Sequence, residues 1–149
     1  MNKPLGKLYT SNPAGLRNLK VDAEIWQITR GGVNIPNTIL VKDLAPSPHL
    51  FQTFLQDWKG KPFEEWWHFY EKKFVLEMET DEKLKGLREV YKRLLLGINV
   101  VLVCFCKDHR YCHRKIVGDF FKPYGVDPIE LNPISQEQLS FLLKEDFDA

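Results

Sequence analysis

No stretch of this 149-residue chain is long and apolar enough to span a bilayer. The longest strongly apolar run, Ile98 to Cys106, is broken by Asn99 and falls far short of the roughly 20 residues a spanning helix needs. A surplus of one charge sign is also missing. Lysine and arginine number 21 against 20 acidic side chains, a formal net charge of +1. Such a balance excludes a strong whole-molecule field for nucleic acid or an anionic membrane, though not a local basic patch. No charged start leads into an apolar run, so no secretory signal is expected. Cysteine is scarce: the three present crowd between Cys104 and Cys112, whereas a disulfide framework spreads an even number along the chain. Reduced thiols in the cytoplasm are the expectation, and there a thiol binds metal, performs chemistry or simply packs. Gly/Ser linkers, internal repeats and low-complexity tracts are absent too.

What is present is ordinary globular material, 44% hydrophobic and 28% charged, and a single α/β domain over residues 1–149 is expected. Lys7–Thr10 alternates as a first strand, and Ser11-Asn-Pro-Ala-Gly15 follows with turn chemistry. Ala23–Thr29 reads as a second strand before Arg30-Gly-Gly32. A helical half comes next. Ser47 caps a helix with Pro48 at its first position, and Phe51, Phe54, Leu55 and Trp58 recur at helical spacing. Pro62 opens a second run carrying Phe63, Trp67, Tyr70 and Phe74 on one face, widened by Trp66. Leu84, Leu87, Tyr91, Leu94 and Leu95 form a third, closed by Gly97. Asn99–Phe105 is apolar on both alternating faces and rich in valine, as a strand covered on both sides of a parallel sheet must be. A helix over Tyr111–Phe121, a break at Pro123-Tyr-Gly125 and a strand within Val126–Leu131 follow. A capping box at Ser135–Gln138 precedes a closing helix with Leu139, Leu142 and Leu143. The order predicts a three-layer, mostly parallel α/β sheet with flanking helices, Rossmann-like, with a helical insertion in its middle.

Chemistry concentrates in Cys104-Phe-Cys-Lys-Asp-His-Arg-Tyr-Cys-His-Arg114. Thiols, imidazoles and guanidiniums meet there between a buried strand and a helix, where sheets of this kind bind ligands. Three chemical readings compete. In the first, Cys104, Cys112 and His113 are catalytic. His113 serves as acid or base near neutral pH, and Arg114, Arg110, Arg30, Lys107, Tyr9 and Ser11 hold a small phosphorylated or nucleotide-like ligand. In the second, the domain is a non-catalytic interaction module in which Cys104, Cys106, Cys112 and His113 bind a structural zinc ion. In the third, Cys104 and Arg110 form a Cys-x5-Arg phosphatase loop, but its interior is bulky and lacks glycine. Against all three stands a plain core cysteine at a strand end with solvated basic residues around it. Trp58, Trp66, Trp67, Phe69 and Tyr70 resemble a base-stacking platform, but their helical periodicity favours core or groove packing. Lys83, Lys85 and Lys92 alternate with acids and read as solvated.

The block Val101–Arg114 resembles the domain of unknown function 488 family, in which a strand ends in Leu-x-Cys and Cys-His-Arg opens the following helix. Lys7–Thr10, Ile28–Arg30, Leu44–Ser47 and Tyr70 are similar to further blocks of that family. The resemblance implies a compact α/β domain with Cys104, Cys112, His113 and Arg114 in its site, and an activity the family name leaves unstated. Where this chain has Cys106, that family often carries an acidic or other polar residue, so the resemblance does not imply a four-ligand metal centre.

Overall fold

The computed structural model describes residues 3–134. Five short strands, β1 (Leu8–Ser11), β2 (Glu24–Gln27), β3 (Ile39–Leu40), β4 (Val100–Val103) and β5 (Ile129–Glu130), lie in the order β3-β2-β4-β1-β5. Every pairing is parallel. The valine-rich segment is therefore the middle strand, hydrogen-bonded on both edges and buried along its whole length. Alternation along it divides the core in two. Val100 and Leu102 join Leu8 and Trp26 on one face, while Val101 and Val103 join Tyr9 on the other.

The helices crowd the first face. Between β3 and β4 come α1 (Pro48–Thr53), α2 (Phe63–Glu77) and α3 (Asp81–Leu95), and α4 (His113–Asp119) joins β4 to β5. Phe74, Leu87, Leu94, Val117 and Phe121 meet the sheet there. The opposite face is covered thinly, by the 3-10 helix Pro13–Asn18 and loops bearing Leu19 and Ile35. The result is a three-layer α/β fold with one thin layer and the anticipated helical insertion. Its strand order departs from the usual dinucleotide-binding order 3-2-1-4-5-6 in placing β4 at the centre.

Local chemistry explains the boundaries. The Ser47 hydroxyl accepts from the Leu50 amide ahead of Pro48 at the first turn, and the Thr80 hydroxyl caps α3 by accepting from the Lys83 amide. Gly97 has φ +84°, a left-handed conformation that suits glycine after a helix. Gln27, buried at the end of β2, donates to the Thr29 hydroxyl and the Val33 carbonyl and accepts from the Ile35 amide. That one side chain ties the loop leading to β3, and both ends of its own buried amide are engaged.

Several expectations are corrected. The helix expected over Tyr111–Phe121 is split: residues His109–Tyr111 form a 3-10 turn and α4 spans only His113–Asp119. Within Val126–Leu131 only Ile129–Glu130 is strand. The strand Ile39–Leu40 was not anticipated, since two exposed residues carry no periodic signal. The helix from Pro48 widens into a π turn at Phe54–Trp58. Lys83 is not solvated: it is 2% exposed, lies 5.6 Å from the Phe74 ring centroid and pairs with Glu77 at 3.6 Å. Burial lowers its pKa despite that carboxylate. The capping box at Ser135–Gln138 and its helix lie outside the described residues.

Candidate functional site

The carboxyl ends of the central strands converge beneath α4. The Cys104 amide donates to the Ser11 carbonyl at 3.1 Å, and the Ile28 amide donates to the Val103 carbonyl at 3.0 Å. Beyond Val103 the chain leaves the sheet and turns through Cys104–Asp108, and the 3-10 turn carries it to the start of α4. This short path brings Cys104, Cys106 and Cys112 together, with their sulfurs all within 4.8 Å of one another. Cys104 and Cys106 are 3.9 Å apart, and all three are free thiols.

His113 is held at both ring nitrogens. Nε2 lies 2.6 Å from the Ile28 carbonyl oxygen, which can only accept, so Nε2 carries the proton. Nδ1 then presents its lone pair to the Cys104 sulfur at 3.6 Å. The imidazole is buried, tilted against Phe74 with ring centroids 5.4 Å apart. A thiol facing the unprotonated nitrogen of an oriented imidazole is the arrangement of a nucleophile beside its base.

The thiols resist ionisation. For Cys104 the hydrogen bond from Cys106 favours the thiolate, but the contact with Cys112, burial and the charge of neighbouring sulfur outweigh it, so its pKa rises. For Cys106 the hydrogen bond with Cys104 leads, aided by burial, and the pKa is pushed up to about 12. At neutral pH both are thiols, and a proton must pass to a base before either can attack. This raised value has a stability consequence. Between the ordinary value of 9.0 and about 12 the folded chain binds more protons than the unfolded one, so stability falls as pH rises through that window. In chelator and reductant, the thiols' contribution to stability, read by melting temperature, is expected to be constant below pH 9 and to be lost above it, each thiol adding a slope of at most about 1.4 kcal/mol per pH unit. Cys106→Ser should flatten the decline; an unchanged profile in that variant would show that the thiols do not govern it.

Over the sulfurs opens a cavity of about 360 Å³ whose lining includes Arg30, Lys59, Trp66, Tyr70, Cys104 and His113. Aromatic rings supply much of its wall, among them Trp66, Trp67 and Tyr70 from α2, and Tyr111 from the 3-10 turn. Trp67 and Tyr70 stack with centroids 5.4 Å apart. Gly32, at φ +88°, also lines it, and a Cβ there would meet the Phe105 ring at 2.7 Å, so the loop after β2 needs glycine to fold over the site. Two larger grooves, of about 520 and 430 Å³, lie on the outer surface of α2, α3 and α4 and contain no thiol. Size alone does not mark the site here; the sulfurs and the imidazole do.

A match to a family model now bears on this geometry. The model described as the active DUF488-N3 subclade matches residues 8–125. The chain belongs to that family. No curated protein and no solved structure matches it. The matched span of this DUF488-N3 chain contains the thiols, His113 and the cavity wall, but stops short of β5 and its Glu130.

For several basic residues of this DUF488-N3 protein the structure gives placements other than the expected ligand-holding one. Arg114 is 0% exposed and faces Glu130, with Nε to Oε1 at 2.9 Å and NH2 to Oε2 at 3.2 Å. Its NH1 donates to the Cys106 carbonyl at 2.8 Å and approaches the Cys112 sulfur at 3.6 Å. Burial alone would favour the neutral guanidine, but Glu130 and the neighbouring sulfurs more than compensate and its pKa rises. Arg110 forks onto Asp108 at 3.0 and 2.8 Å and does not line the cavity. Lys107 is exposed and outside it. Tyr9 lies on the opposite face of the sheet, and Ser11 is fully buried with its hydroxyl donating to the Asn12 carbonyl. Arg30 alone of the expected anion holders lines the cavity. Its guanidinium donates to the Pro46 and Lys42 carbonyls, and among the described residues it forms no ion pair. The zinc reading changes too: among the described residues the clustered ligand atoms are three sulfurs, without His113. Sequence reading missed Lys59, Phe105 and Tyr111 as cavity-lining residues and Glu130 as a partner. A lone charged or aromatic residue carries no sign of which wall it will join.

Proposed function

We propose that this protein is an enzyme acting on a small anionic ligand with a planar aromatic part, of nucleotide type, through the Cys104 thiol. The reading rests on one observation, the Cys104 sulfur 3.6 Å from Nδ1 of an imidazole whose other nitrogen is engaged by Ile28. As Cys104 attacks an electrophilic carbon or phosphorus, its proton passes to His113 Nδ1 and a bond from sulfur to ligand replaces the bond to the leaving group. His113 returns the proton to that group, and water then releases the bound fragment. The aromatic walls favour a planar group by stacking. Arg30, which among the described residues pairs with no carboxylate, and Lys59 favour an anion. The matching family model is described as an active subclade, which accords with a catalytic reading.

Thermal melting with a panel of nucleotides and inorganic phosphate tests this. A ligand at about 100 times its Kd stabilises by roughly 2.7 kcal/mol; at about 2–4 °C per kcal/mol for a chain of this size, melting should rise by roughly 5–10 °C. Arg30→Ala should remove most of the rise. Cys104→Ser should keep it while losing any covalent adduct detected by mass spectrometry of the intact protein. If neither nucleotides nor phosphate move the transition, the reading fails.

A further inference from the structure

We propose that Cys104, Cys106 and Cys112 together bind one thiophilic divalent cation, zinc, through three sulfur ligands, with a fourth coordination position open to the aromatic cavity. The inference goes beyond the functional reading and does not depend on it.

Distance comes first. Tetrahedral zinc with Zn–S bonds of about 2.3 Å needs sulfurs about 3.8 Å apart. Cys104 and Cys106 already stand at 3.9 Å, and no pair in the cluster exceeds 4.8 Å. Side-chain rotation can close the remaining gap without moving the strand. Access comes second, for all three cysteines line the cavity, which gives an ion a way in and leaves room for water or another ligand at the fourth position. Third, a buried cation offsets part of the cost of gathering three sulfur anions. NH1 of Arg114 approaches the Cys112 sulfur at 3.6 Å and donates to the Cys106 carbonyl at 2.8 Å, so a guanidinium supports the turn and one ligand atom from behind, as partners of metal ligands commonly do.

The ligand set stops at three for visible reasons. His113 faces Cys104 through Nδ1 at 3.6 Å but does not lie within 4.8 Å of all three sulfurs. The neighbouring carboxylate, Glu130, is taken by Arg114, the Thr10 hydroxyl and the Asn132 amide. Three soft ligands without a carboxylate disfavour magnesium and calcium and suit zinc. Three sulfur ligands and an open position are the arrangement of a reactive rather than a closed structural site. Binding exchanges three S–H bonds for three S–Zn bonds and releases three protons to solvent. The resulting unit carries one negative charge, which Arg30 and Lys59 on the cavity wall offset. Zinc would engage the same Cys104 sulfur that the functional reading uses as nucleophile, so loading should slow reaction at that thiol.

The test uses the full chain, reduced, stripped with chelator and desalted. Titration with cobalt(II) should give a sulfur-to-cobalt charge-transfer band that saturates at one ion per chain and is displaced by zinc, with release of three protons. Zinc loading should protect all three thiols from N-ethylmaleimide, read by mass spectrometry on the unmutated protein. Cys106→Ser, at a half-buried position, should weaken binding by more than the roughly 10–100-fold typical of losing a supporting contact. His113→Asn, able to keep the bond to Ile28, should bind cobalt as the parent does. No saturable band, no protection of the thiols, or unchanged affinity in Cys106→Ser would each overturn the site. Loss of binding in a folded His113→Asn would overturn the three-sulfur set. Nucleotide melts are run on the chelated protein, so failure of either idea leaves the other standing.

Discussion

Arg114→Ala is expected to destabilise the protein by about 3–5 kcal/mol, the range for removing one partner of a buried ion pair. At roughly 2–4 °C per kcal/mol, the melting temperature should fall on the order of 10 °C. The guanidinium is fully buried and its fork meets both oxygens of Glu130. That carboxylate also accepts from the Thr10 hydroxyl at 2.8 Å and the Asn132 amide at 3.0 Å. Truncation would leave Glu130 in a largely buried place without a cation, the Cys106 carbonyl with only the long bond from Asn12 Nδ2 at 3.5 Å, and a cavity the size of the lost side chain. Three elements share the pair: α4 supplies Arg114, β5 supplies Glu130 and β1 supplies Thr10. The loss should therefore loosen the edge of the sheet and the cysteine turn together. Arg114→Lys keeps a charge but not the fork, and should recover only part of the deficit. Chemical denaturation of the three proteins measures this directly. A loss below about 1 kcal/mol in Arg114→Ala would mean that the pair contributes no more than a surface one.

Phe74→Ala should cost a similar amount, about 3–5 kcal/mol, for a different reason. The ring is fully buried on the sheet-facing side of α2. It stacks on Tyr70 with centroids 6.1 Å apart, tilts against His113 at 5.4 Å and carries the Lys83 ammonium 5.6 Å from its centre. Its removal opens a void next to an imidazole and a buried cation, and neither can collapse into apolar space without losing its own partner. Phe74→Leu fills most of that void and should lose far less. The functional readout is the rate at which iodoacetamide reaches Cys104. That rate should rise in Phe74→Ala as local opening becomes easier and stay near the parent value in Phe74→Leu. Equal protection of Cys104 in all three proteins would show that Phe74 supports the helix but not the site.

The sulfur cluster was legible in the sequence because its members are near neighbours in the chain. Cys104, Cys106, Cys112 and His113 sit on one turn, and any compact path from the end of β4 to the start of α4 brings them close. The roles of the arginines were not legible. Arg110 and Arg114 looked equally suited to holding an anion, yet Asp108, two residues back, claims the first, and Glu130, on an edge strand of two residues, claims the second. Among the described residues the partners of Arg30 are carbonyls, which leave its charge unneutralised. Helical spacing put Phe63, Trp67, Tyr70 and Phe74 on one face of α2, widened by Trp66; Trp66, Tyr70 and Phe74 are buried, Trp67 is half-buried and Phe63 at the helix start is exposed. It did not indicate that Trp66 and Tyr70 would also form the wall of a cavity above a thiol.

Taken by itself, the sequence determined what local chemistry determines: a valine-rich strand apolar on both faces, helices begun by Ser47-Pro48 and Pro62, and a thiol-imidazole turn between strand and helix. Periodicity and turn residues act over a few positions and can be read without partners. Only the tertiary structure decided the neighbours of each strand, the burial of Lys83 and the separation of structural from available cations. Those outcomes depend on charges and surfaces brought together from distant parts of the chain, and a guanidinium has the same composition whether it faces a carboxylate or a cavity.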